Sequence, residues 1–155
     1  MTILEGKPAP HLNLPASANR TLTLPAPNGR PLVLYFYPKA DTPGCTKQAQ
    51  AFQEALPQFN AHDISIAGVS KDTIKAIDRF AAKYELTFPL ASDPDGKVVE
   101  AYGAWVEKSM YGKSYMGIDR TTVLIDQHGN IAQIWRKVKV PGHATEVLAA
   151  ATKIK

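Results

Sequence analysis

The only cysteine of this chain, Cys45, lies in the stretch Tyr35-Phe36-Tyr37-Pro38-Lys39-Ala40-Asp41-Thr42-Pro43-Gly44-Cys45-Thr46, among residue types that can make a thiol reactive. The apolar run Leu32 to Tyr37 predicts a buried strand, and Pro38, Pro43 and Gly44 then force a loop before helix-forming residues resume. Cys45 is therefore expected where a loop becomes a helix. Backbone N–H groups in a first helical turn lack intrahelical partners and carry partial positive charge, so an anion placed there is stabilised and a thiol is biased toward thiolate. After Cys45, the residues Ala49, Phe52, Leu56 and Phe59 recur at helical spacing, which buries one stripe and leaves the sulfur low in a pocket at its leading end. Thr42, three residues earlier, brings a hydroxyl that both donates and accepts hydrogen bonds. A lone cysteine is most often a small buried hydrophobe. Here its neighbours are Pro, Gly and Thr rather than aliphatic core residues, which favours a nucleophile.

The elements that must position this thiol follow from the pattern of the rest of the chain. Residues 4 to 30 are rich in proline and hold two short alternating runs, His11 to Leu14 and Thr21 to Leu24, read as a small hairpin laid over the domain. An Asn28-Gly29 turn leads into the central strand. Ile64 to Ser70 predicts a second buried strand, and Asp72 or Thr73 then starts a helix with Ile74, Ile77, Ala81 and Tyr84 on its apolar stripe. Strand, helix, strand, helix implies parallel pairing through right-handed crossovers. Leu90 to Asp93, a Pro94-Asp95-Gly96 turn and a short helix at about Val98 to Tyr102 come next. Residues 103 to 118 are the least regular and are expected to form a long, function-bearing loop. Thr121 to Asp126 and Ile131 to Val138 predict an antiparallel hairpin, and Ala144 to Ile154 a closing helix. The expected fold class is α/β, with a mixed central sheet flanked by helices in one domain spanning residues 1–155.

Composition narrows the function. A chain of 155 residues with 45% hydrophobic content suits one soluble core. No apolar stretch approaches a membrane span and Met1 to Lys7 lacks a signal-peptide core, so the expectation is a cytoplasmic protein with no membrane role. One cysteine rules out an intrachain disulfide or a Cys-x-x-Cys site. The net charge of +4 is modest, and the basic run Trp135 to Lys139 is better explained by strand alternation than by nucleic-acid binding. His11, His62, His128 and His143 have no metal-ligand spacing and are assigned turn or surface roles, and Asp93, Asp95 and Gly96 lack the remaining ligands of a calcium loop. Neither metal nor cofactor is expected. Trp105, Tyr111 and Met116 are expected either to line the entrance to the Cys45 pocket or, by a slight preference, to cover apolar core beneath the long loop, with Lys108 and Lys113 solvated nearby.

Pro38-x-x-x-Thr42-x-x-Cys45 resembles the active-site motif of the peroxiredoxins, and the longer match from Tyr35 to Thr46 is similar to their bacterioferritin-comigratory, or Q-type, branch. The likeness continues in Phe88 to Asp93, Lys108 to Lys113 and Gly117 to Asp126, covering nearly the whole chain. It implies a thioredoxin-like three-layer fold and a thiol peroxidase acting on hydrogen peroxide and organic hydroperoxides. Reduction of a peroxide at cysteine needs a thiolate, donors that orient the O–O bond and stabilisation of the leaving oxygen. The resemblance assigns Cys45 as nucleophile and Thr42 as the group that hydrogen-bonds sulfur and peroxide. It makes Pro38 the shield, and the Pro43-Gly44 turn with the N–H groups of Gly44 and Cys45 the seat of the peroxide oxygens. The family's arginine falls on Arg120, which cannot deprotonate in the working range and presents a planar fork of donors. The competing role for Arg120 is a surface ion pair with Asp119 or Asp126.

Oxidation would leave Cys45 as sulfenic acid. Relatives carry a resolving cysteine at the position of Gln50 or in the next helix, where this chain has Phe80-Ala81-Ala82. Both are empty, so the resemblance implies a one-cysteine enzyme, monomeric like many of the branch, that is reduced by an external thiol: thioredoxin, glutaredoxin with glutathione, or another small thiol. The rival reading is a peroxide sensor or redox adaptor working through Cys45 oxidation. Excess reductant separates the two, because an enzyme cycles and a sensor reacts once.

Overall fold

The structure is a computed structural model that describes residues 3–154. Its centre is β3 (Leu32–Phe36), in which every residue is buried because both faces of the sheet are covered. Parallel to it run β4 (Ser65–Ser70) and then β5 (Leu90–Ser92); on its other side, antiparallel, come β8 (Thr121–Ile125) and β9 (Ile131–Trp135). The N-terminal hairpin, β1 (Leu12–Ala16) with β2 (Arg20–Leu24), is present as expected. It does not merely lie over the domain: Ala16 pairs with Ala91 of β5 and extends the sheet to seven strands in the order β2-β1-β5-β4-β3-β8-β9. This is a mixed sheet with the helices and topology of the thioredoxin-like class.

Alternation along β3 divides the core. Val33, Tyr35 and the following Tyr37 point toward α1 (Pro43–Ala61), α2 (Ile74–Lys83) and α4 (His143–Lys153), meeting Phe52, Phe59, Ile77, Phe80 and Val147. Leu32, Leu34 and Phe36 point the other way, toward α3 (Lys97–Ala101), the N-terminal segment and the buried face of the β1–β2 hairpin. Thr73 caps α2 by accepting a 3.2 Å bond from the Ala76 N–H, which settles the two candidate starts in its favour.

Several expectations need correction. Residues 103–118 are not an irregular loop: β6 (Trp105–Met110) and β7 (Lys113–Ile118) form a regular two-stranded arm outside the main sheet, turned by Tyr111 and Gly112, both at positive φ. Tyr111 and Met116 cover no core, being 96% and 49% exposed, while Trp105 does pack against the core at the base of the arm. The last strand stops at Trp135 rather than Val138. Lys137 turns at φ 49°, its N–H goes to the Asp119 carboxylate, and the Val138 N–H goes to the Arg120 carbonyl. Arg136 is not on a wet strand face but donates to the Tyr102 carbonyl at 2.9 Å.

Candidate active site

Helix α1 opens with Thr42 as its N-cap and Pro43 in its first turn. Pro43 has no N–H and the Thr46 N–H already bonds the Thr42 carbonyl at 2.8 Å. By helix geometry the first-turn donors left over are therefore those of Gly44 and Cys45. Cys45 stands on that turn with 1% exposure, on the side facing Tyr35 and Tyr37.

The loop from Pro38 to Thr42 is tied down from three directions. The Ala40 N–H donates to Asp72 Oδ2 at 2.7 Å, and the same oxygen accepts from Ser70 Oγ at 2.7 Å, linking the loop to the end of β4. Asp41, held at φ 60°, accepts from Lys83 Nζ at 3.0 Å and Tyr84 Oη at 2.8 Å at the end of α2. The Lys83 contact, with Tyr84 behind it, holds the Asp41 carboxyl below its ordinary pKa, although the group is in contact with solvent. The Thr42 hydroxyl donates to the Lys39 carbonyl at 2.8 Å, so its proton points into the loop and its lone pairs remain for an incoming donor.

Arg120 occupies the short link between β7 and β8, its carbonyl fixed by the Val138 N–H at 2.9 Å. The guanidinium forms neither of the ion pairs considered for it. The Asp119 carboxylate takes the Lys137 N–H and Asp126 takes the turn N–H groups of His128 and Asn130. Instead Nη1 donates to Gln48 Oε1 at 2.7 Å, while Nη2 lies so close to Gly44 that a Cβ there would sit 3.2 Å from it. Arginine and the leading turn of α1 are thus in contact one residue from the sulfur.

Gln48 escaped the sequence reading. It is 1% exposed, and its Nε2 finds no partner among the described residues. The only sequence signal was its position, three residues after Cys45 on the buried stripe of α1. Tyr35 and Tyr37 were read only as strand residues, yet their buried hydroxyls also border this enclosure without a well-aligned partner. Burial above all, then the neighbouring acids Tyr37 and Cys45, push the Tyr35 phenol well above its ordinary pKa, with Arg120 pulling it down. Burial likewise raises Tyr37, against the opposing pull of Ser70. Both phenols therefore stay protonated and keep their O–H groups.

Other sites offer no comparable chemistry. A groove of about 400 Å³ between β2, the far end of α1 and β4 has no titratable side chain in its lining. Among the described residues no group of His, Cys, Asp and Glu could hold a metal ion, and no helix is long and apolar enough to cross a membrane. His143 departs from the expected surface role: it is buried, its Nε2 lies 2.8 Å from Thr122 Oγ1, and burial lowers its pKa against the pull of Glu146. Asp93 is buried and accepts from the Val99 N–H at the start of α3, a structural bond. Gln50 is exposed on α1 and Ala81 is buried on α2.

A buried cysteine at the head of a helix whose leading turn an arginine touches, on a thioredoxin-like sheet, defines the class of thiol-based oxidoreductases. The AhpC/TSA family profile matches residues 5–134. A putative peroxiredoxin Bcp of Coxiella burnetii is 47% identical over 96% of this chain and 98% of its own length, and peroxiredoxin Bcp of Bacillus subtilis is 43% identical over 96% and 94%. A Cys-to-Ser variant of Xanthomonas campestris peroxiredoxin Q superposes with a TM-score of 0.90 at 44% identity, covering 99% of both chains. A structure concerned with alkyl peroxide reduction by the bacterioferritin comigratory protein of the same organism gives 0.87 at 46%, covering 92% of this chain and 90% of its own. The chain belongs to the AhpC/TSA family, as a peroxiredoxin of the bacterioferritin-comigratory, or Q, type. It is an enzyme, a thiol-dependent peroxidase.

Proposed function

We propose that this chain, working as one domain, reduces hydrogen peroxide and organic hydroperoxides by a one-cysteine cycle at Cys45. The observation that carries the reading is the contact of Arg120 with Gly44 at the head of α1, one residue from the sulfur. The Cys45 thiolate attacks one peroxide oxygen; the S–O bond forms, the O–O bond breaks, and the departing alkoxide or hydroxide takes up a proton. Arg120 and the Gly44 and Cys45 N–H groups hold the negative charge that develops on the oxygens. The Thr42 hydroxyl oxygen accepts the peroxide O–H and so aligns attack, Pro43 and Gly44 shape the seat, and Pro38 shields the thiolate. Gln48 fixes the guanidinium. The alkyl peroxide activity named for the Xanthomonas protein supports including organic hydroperoxides.

The sulfenic acid is then reduced by an external thiol, because the chain has one cysteine and both positions where relatives resolve internally hold other residues. Thioredoxin, glutaredoxin with glutathione, and small thiols are the candidates. A cytoplasmic monomer completes the proposal, in keeping with a free thiol in a reducing compartment. The test is turnover of hydrogen peroxide with excess dithiothreitol, together with the intact mass of protein oxidised by one equivalent and trapped with dimedone. The expected result is many turnovers, one adduct on Cys45 and none in Cys45→Ser. A single turnover despite excess thiol would favour the sensor reading instead.

A further inference from the structure

Four of the five large apolar residues most exposed in the described structure, Met110, Tyr111, Tyr115 and Met116, lie on the β6–β7 arm. Tyr111 at its tip is 96% exposed and held at φ 53°, a conformation costly for a bulky residue. The strand register sorts the arm into two faces: Val106, Lys108, Met110, Lys113 and Tyr115 share one, and Glu107 and Met116 lie on the other. On the first face the Tyr115 ring and the Lys108 stem close over Gly117, making a continuous apolar strip flanked by two ammonium groups and no carboxylate.

The base of this arm adjoins the active site. Lys71 Nζ sits 3.9 Å over the Trp105 ring, one residue before the Asp72 that holds the Ala40 N–H, and β7 runs two residues later into Arg120. Six residues per strand give the arm about 20 Å of length, comparable to the radius of a small protein domain. A second copy of the chain is a poor occupant, because it would bring the same lysines against each other.

We infer that this outward face of the arm docks a protein dithiol reductant whose reactive apolar face is rimmed by carboxylates, an assignment that rests on the one-cysteine reading above. The partner's thiolate attacks the sulfenic sulfur of Cys45: an S–S bond forms, the S–O bond breaks, and hydroxide leaves as water with a proton. The partner's second thiol then attacks its own sulfur in the mixed disulfide and releases Cys45 as thiolate. The two electrons come from the partner dithiol.

The experiment oxidises the full chain with one equivalent of hydrogen peroxide and follows recovery of the Cys45 thiol with reduced thioredoxin, reduced glutaredoxin or dithiothreitol. It compares wild type with Lys108→Glu/Lys113→Glu and Met110→Ser/Tyr115→Ser. Recovery with the protein dithiol should slow at least tenfold in both variants, and raised salt should slow it in wild type, whereas dithiothreitol recovery and the initial oxidation should stay unchanged. Variants that recover at the wild-type rate overturn the proposal. So does a wild type restored by dithiothreitol but by neither protein, which leaves the one-cysteine cycle standing. Binding to phosphatidylserine vesicles that is lost in the charge-reversed variant, with recovery rates unchanged, would reassign the arm to a lipid surface. An oxidised wild type that even dithiothreitol cannot restore would sink the one-cysteine cycle, and the docking assignment with it.

Discussion

The loop before Cys45 and the β6–β7 arm are built on opposite plans. In the loop, groups from other elements hold two consecutive residues, Asp72 taking the Ala40 N–H and Lys83 the Asp41 carboxylate, and the cysteine that follows is almost wholly enclosed. In the arm the strands bond only to each other and the side chains toward the tip face water. Fixed geometry serves the chemistry on the small peroxide, since a charge-stabilising group works only if it is already in place. An exposed, apolar and cationic surface suits an encounter with something large.

Substitutions can break that contrast, and the largest effect belongs to Arg120. Arg120→Ala should slow Cys45 oxidation by about 10²–10³-fold, the usual cost of losing a preorganised donor. Arg120→Lys should recover only part, because one ammonium cannot both reach Gln48 and lie over Gly44. Stopped-flow oxidation would measure both. Gly68→Ala comes next: its Cβ would stand 2.8 Å from Leu90 Cδ2 and 2.9 Å from Tyr35 Cζ. Overpacking of this kind costs about 1–3 kcal/mol, visible in the denaturation midpoint.

Gly44→Ala separates stability from activity. Gly44 has no positive φ and lies in a helix, so alanine should leave stability unchanged or raise it by up to about 1 kcal/mol. Its Cβ must displace the guanidinium, and oxidation should slow by about tenfold, the equivalent of 1.4 kcal/mol. Unchanged oxidation in that variant would mean the Arg120 contact is dispensable.

A smaller effect concerns pH. The folded pKa of His143 is depressed by burial, so the unfolded chain takes up this proton first as pH falls. Stability from this group is complete above about 6.5 and declines as pH drops from there through the folded pKa. His143→Gln should flatten the fall in denaturation midpoint between pH 7 and 5. The smallest effect should come from the arm's tip, where Tyr111→Ser should move stability by no more than about 0.5 kcal/mol because nothing in the fold packs on it.

How much of this was legible depends on the range of the interactions. Pro38, Pro43, Gly44 and Cys45 punctuate the chain locally, and the buried run before them is continuous, so strand, loop and helix could be read directly. The long-range bonds of the site could not: Asp72 meets Ala40 across 32 residues and Gln48 meets Arg120 across 72. No local pattern announces such pairs; Arg120 itself was found only through family resemblance. The arm was misread as a loop because both its faces are largely wet. Trp105 to Met110 therefore lacks the apolar alternation that marks a half-buried strand, and Gly103, Gly112 and Gly117 looked like breakers.

The central claim is that the head of α1 and Arg120 together activate Cys45. Rapid mixing of the reduced protein with hydrogen peroxide, followed through Trp105 and Trp135 fluorescence and dimedone trapping, tests it most directly. The account predicts oxidation orders of magnitude faster than that of a free thiol, first order in peroxide, ending in a sulfenic acid and strongly slowed in Arg120→Ala. Oxidation at an ordinary thiol rate, or at the same rate with and without Arg120, would contradict it.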